Sequence, residues 1–212
     1  MTMLPNESVG IVVYGSLIRD PGLEIGPRIS HREEIHTPFP VEFARLSRSR
    51  GGAPTVAPHR LGATVVAELL VLSEDVDPKE AKNLLWRRET RQVDLKRQYR
   101  ESGHRNAVLI RECTSIPAVR CALYTEFNPS GKIEKPDPKS LAKAAIASVY
   151  KAKEGQDGIS YLIGIVNAGI ETPLTSAYIS TLLELTKASS LEGSLSSLCE
   201  LKASKLATRL EP

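Results

Sequence analysis

At 212 residues, with 41% hydrophobic and 25% charged residues, the chain can bury a real core and reads as an ordinary globular protein. No apolar run approaches the roughly 20 residues of a membrane span, and the three cysteines, Cys113, Cys121 and Cys199, lack CxxC spacing, which argues against a disulfide framework or zinc site and for a reducing, cytoplasmic setting. The net charge of +3 is modest, but seven Lys/Arg stand against three acids between Arg87 and Arg105, and Arg45, Arg48 and Arg50 crowd before Gly51-Gly52. Such patches suit a solvated surface or an anionic small molecule. Without aromatic interleaving or a recognisable motif, nucleic acid is disfavoured.

The first element is Val9-Gly10-Ile11-Val12-Val13, a β-branched run that breaks into Tyr14-Gly15-Ser16-Leu17-Ile18. It predicts a buried strand ending in a glycine turn, where backbone N–H groups and a hydroxyl can meet a ligand. Residues 19–29 read as loop, with Asp20-Pro21-Gly22 as a turn signal. Residues 34–46 predict an extended segment interrupted by Pro38 and Pro40, as at a sheet edge. Residues 51–58 read as a surface loop, and residues 63–72 as a buried strand with Glu68 as the exception.

A helix follows, with Asp77 as cap, Pro78 at its first position and Glu80 completing a capping-box pattern. Ala81, Leu84 and Leu85 mark its apolar stripe, and four residues beyond Leu85 lies Glu89. A carboxylate on an inward face is desolvated, which raises its pKa and makes it a better base near neutral pH. The alternatives for Glu89 are an ion pair with Arg87, Arg88 or Arg91, or simple exposure. Glu126, at a strand end, is the reserve candidate.

Residues 108–111 and 119–127 complete the strands. Asp137-Pro138 opens a helix with Leu141, Ala145 and Val149 on one face, and residues 159–167 predict a short helix. Thr172-Pro173 starts another, with Leu174, Tyr178, Leu182 and Leu185 inward, before a last amphipathic helix over 194–210. Strands with one inserted helix, then helices, predict an α+β architecture. Residues 1–190 read as one domain and 191–212 as its C-terminal helical extension. His31, His36, His59 and His104 lack metal-ligand spacing, so no metal site is expected. Ser16 lacks the flanking glycines of a nucleophile elbow.

Tyr14-Gly15-Ser16-Leu17-Ile18, followed by Leu84-Leu85-Trp86-Arg87-Arg88-Glu89, resembles the γ-glutamylcyclotransferase-like family, particularly its ChaC-type branch. Strand, acidic turn, helix and Arg88-Glu89 fall in that branch's order, and Arg50-Gly51 resembles its Arg-Gly loop. The resemblance implies a small closed or strongly curved mixed β-sheet flanked by helices. It also implies cyclisation of a γ-glutamyl group to 5-oxoproline with release of an amine or amino acid, glutathione being one candidate substrate. Glu89 would be the catalytic base and acid, and Tyr14, Gly15, Ser16 and Leu17 the substrate-binding turn. Tyr161 would be a further substrate contact, since Tyr161-Leu162 matches a family pattern in which Gly158 replaces a serine. Neither cofactor nor metal is implied, and the expected partner is a small γ-glutamyl compound, with no membrane. The alternative is a non-catalytic member of the same fold that binds a small ligand or a partner protein.

Overall fold

A computed structural model of the chain describes residues 8–92 and 94–208, with the side chains of Ser16 and residues 205–208 left out. The architecture is mixed α+β, and the chain divides into two units. The first comprises residues 1–41 and 63–132, the second residues 42–62 and 133–212.

The first unit is built on a five-stranded sheet. Its strands are β1 (Val9–Val13), β2 (Ile29–His36), β5 (Val66–Leu72), β6 (Val108–Cys113) and β7 (Cys121–Phe127), in the order β2-β5-β1-β7-β6. β1 runs parallel to β7 and antiparallel to β5, so the sheet is mixed. Every residue of β1 is buried, as an unbroken apolar run should be when both faces are covered. On one face Val12 packs with Leu69, Val71, Ile116, Val119 and Ala122. α2 (Pro78–Thr90) also packs against β1, β6 and β7, and buries Ala81, Leu84 and Leu85.

The sheet is open rather than closed: β2 and β6 are its edges. Most of β2 is exposed, and it carries Arg32, Glu33 and Glu34, charges that discourage pairing along a free edge. The interrupted segment expected over 34–46 is two strands. β2 ends at His36, Pro38 and Pro40 fall in the connection, and β3 (Val41–Ser47) pairs elsewhere.

The second unit pairs β3 with β4 (Ala53–Pro58) and adds α3 (Pro138–Lys151), α4 (Gly158–Asn167), α5 (Thr175–Thr186) and α6 (Leu191–Thr208). β4 corrects the surface loop expected over 51–58, since all six of its residues are buried. Pro54 and Pro58 hid it. In a two-stranded sheet each strand has an unpaired side, where a missing N–H costs nothing.

Both aspartates cap their helices, but the capping box expected at α2 does not close, because the Glu80 carboxylate accepts from Asn83 and Arg87 instead. The Asp77 carboxylate accepts the Glu80 N–H at 2.8 Å, and Asp137 accepts that of Ser140 at 2.9 Å. The Ser140 N–H holds the Asp137 carboxyl below the usual carboxylate range. In α5 Tyr178 and Leu182 are buried but Leu185 is exposed, against expectation. The inward place in the last turn goes to Thr186, whose hydroxyl reaches Ser194 at 2.8 Å. The last helix starts at Leu191 rather than 194, and residues 209–212 lie outside the described residues.

Candidate functional site

The turn and the carboxylate both belong to the first unit. β1 ends at Val13, directly beside Glu68 of β5. Gly15 then takes a φ of +87°, a left-handed conformation that a side chain would resist. The chain enters α1 (Ser16–Arg19), where the Ile18 N–H donates to the Gly15 carbonyl at 3.3 Å. Leu17 is buried and anchors the turn from beneath. Tyr14 is half-buried, with its ring edge-on to Phe39 at 5.7 Å and its hydroxyl 3.4 Å from the Thr125 carbonyl. The Ser16 hydroxyl, expected as a donor, lies outside the described atoms.

Glu89 is half-buried in the last turn of α2. That turn ends in a Schellman motif. The Gln92 N–H donates to the Arg87 carbonyl at 2.9 Å and the Arg91 N–H to that of Arg88 at 3.3 Å, with Arg91 at φ +53°. Two of the arginines beside Glu89, Arg87 and Arg88, bind carboxylates and carbonyls elsewhere in the unit. Arg88 donates to the main-chain oxygen of Asp20 at 2.7 Å and to its carboxylate at 2.9 Å. Arg87 grips Glu24 through Nε and Nη2 at 2.8–3.1 Å, and reaches Glu80 at 3.0 Å and the Arg97 carbonyl at 3.1 Å. Burial works against the Arg87 charge, but Glu24 and Glu80 more than offset it and hold its pKa above the ordinary value.

Both arginines tie the end of α2 to the loop that leaves the Gly15 turn. Gly22 makes the contact possible: at φ +88°, a Cβ there would stand 2.6 Å from the Arg88 Cδ. From the edge of the sheet, Arg32 donates to the Ile18 carbonyl at 2.8 Å and to Glu68 at 2.6 Å. The turn, α1 and the α2 terminus are therefore braced within one unit by Asp20, Glu24, Arg32 and Glu68. Sequence reasoning missed these residues as site supports. Its one signal was Glu68, a charge inside an apolar strand.

Tyr161 lies in the second unit. Its hydroxyl accepts the Val56 N–H at 3.2 Å, and the Arg50 guanidinium lies over its ring at 5.0 Å. Gly158, the departure from the family serine, has a packing reason: a Cβ there would stand 2.8 Å from the Ala145 Cα. The reserve candidate Glu126 accepts the Phe127 N–H at 2.9 Å and pairs with Lys132. Among the described residues, no group of three or more His, Cys, Asp and Glu side chains is arranged to hold a metal ion.

Comparison with known proteins returned no match, whether to family models, to curated proteins or to solved structures.

Proposed function

We propose that the first unit is a γ-glutamylcyclotransferase-like catalytic domain, with Glu89 as base and acid and Tyr14–Leu17 as the substrate-binding turn. One observation carries this reading. Arg88, the residue before Glu89, is bonded to Asp20, one residue beyond the helix that the Gly15 turn opens. Two motifs separated by about 75 residues of sequence are thus held at one end of one sheet, as a shared site requires.

The chemistry follows from the groups available. The α-ammonium of a γ-glutamyl compound first loses one proton to water, and the freed amine attacks the γ-carbonyl carbon. The Glu89 carboxylate takes the second proton from the ring nitrogen, which attack has made cationic. As the tetrahedral oxyanion collapses, the bond to the leaving nitrogen breaks and Glu89 delivers that proton to it, leaving 5-oxoproline and the free amine. Ring closure is intramolecular, so a turn that folds the substrate lowers the entropic barrier. Backbone N–H groups of the turn are suited to the developing oxyanion. Tyr161 is not required by this site.

The test is 5-oxoproline release from a panel of γ-glutamyl amines and γ-glutamyl amino acids, glutathione included. Glu89→Gln should lower turnover by about 10²–10⁴-fold without shifting the melting transition. Turnover that survives the substitution overturns the mechanism. Saturable ligand binding without product would favour the non-catalytic alternative.

A further inference from the structure

Arg87 does more than brace α2. Its guanidinium holds the Glu24 carboxylate on one side and the Arg97 carbonyl on the other, so the loops that follow α1 and α2 converge on one buried cation. Each loop carries a leucine turned to solvent: Leu23 is 96% exposed and Leu95 64% exposed. Both sit on braced backbone. The Gly22 N–H donates to the Asp20 carboxylate at 3.1 Å, the Gly26 N–H to the Gly22 carbonyl at 3.0 Å, and Ile25 is fully buried. In the second loop the Asp94 carboxylate accepts the Lys96 N–H at 3.0 Å, and the Asp94 carbonyl accepts the Arg97 N–H at 3.1 Å. Leaving a leucine in water forfeits the gain of burying it, and here two are held out on loops that share one anchor.

Beside Leu23, the Asp20 and Glu24 carboxylates are paired with Arg88 and Arg87, and around Leu95 positive charge predominates. Arg91, Lys96, Arg97 and Arg100 are exposed, with Asp94 the single acid between residues 91 and 100. Protruding leucines among cations do not form a groove for a peptide. They match a surface with an acidic outer layer and a deformable apolar interior. We propose that this end of the first unit docks on an anionic lipid bilayer, with Leu23 and Leu95 inserted among the acyl chains and the cations on the headgroups. No helix among the described residues is long and apolar enough to cross a membrane, and docking from one side needs none. The inference is independent of the cyclotransferase reading.

Co-sedimentation of the full chain with lipid vesicles tests it. Vesicles of phosphatidylcholine mixed with phosphatidylserine should retain the protein, those of phosphatidylcholine alone should not, and added salt should weaken retention. The double variant Leu23→Ser/Leu95→Ser should lose about tenfold or more in partitioning, and Lys96→Gln and Arg100→Gln about fivefold each. All four positions are exposed, and an unchanged melting transition confirms that the fold is intact. Absence of retention on the mixed vesicles overturns the proposal. So does retention that ignores the leucines and is displaced equally by soluble polyglutamate, which would mark a site for acidic macromolecules.

Discussion

Glu89 and Glu42 are both carboxylates withdrawn from water, and the two units use them differently. Glu89 is half-buried at the end of a helix, beside two arginines that are committed to Asp20, Glu24 and Glu80. Glu42, in the second unit, is wholly buried, and three donors converge on it. They are the Phe43 N–H at 2.8 Å, the Thr172 hydroxyl at 2.6 Å and the Leu174 N–H at 3.2 Å. Leu174 immediately precedes α5, so Glu42 fastens β3 to the start of that helix. A deeply buried acid ringed by donors is a structural anchor, so Glu42 serves the fold, and the proposal for Glu89 rests on its place beside the Gly15 turn rather than on depth of burial.

Substituting both residues with glutamine breaks the comparison most sharply. Glu89→Gln should remove turnover and spare stability. Glu42→Gln should do the reverse, with turnover per folded molecule unchanged. A Glu42→Gln protein that is stable but inactive would invert the assignment. Stability effects come next. Glu42→Ala removes the acceptor shared by the Phe43 and Leu174 N–H groups and the Thr172 hydroxyl, and should cost about 3 kcal/mol, read from urea unfolding. Arg87→Met abandons Glu24, Glu80 and the Arg97 carbonyl, and should cost roughly 3 kcal/mol. It should also raise hydrogen exchange in both loops that Arg87 gathers, and exchange unchanged in either loop would deny it that role.

The smallest effect separates two tyrosines of the second unit. The Tyr178 hydroxyl is fully buried with no hydrogen-bond partner among the described residues. Burial, then Tyr161 and Asp157, push its pKa well above the ordinary value. Tyr178→Phe discards an unsatisfied group and should be neutral or stabilising by up to about 1 kcal/mol. Tyr161→Phe should cost about 1–2 kcal/mol, because the Val56 N–H loses its acceptor. Denaturant midpoints of the two variants should therefore move apart.

The features that the chain determined alone are those written between near neighbours. A β-branched run became the buried strand β1, and an aspartate before a proline capped both α2 and α3. Gly15 marked the sharp turn, and Glu89 fell on the helix the stripe predicted. Each rests on contacts within about four residues, where period and capping chemistry suffice. Tertiary structure decided what depends on distant partners. It made a strand of residues 53–58 despite two prolines, because β3 supplied a mate, and it left Leu185 in water because Thr186 found Ser194. It left the sheet open, paired β1 with β7 and split the residues into two units. It also sent Arg87 to a carboxylate 63 positions away and closed Glu42 on a threonine 130 positions away. No local pattern carries such pairings, since the free energy that selects them is collected only when remote segments meet and shed their water.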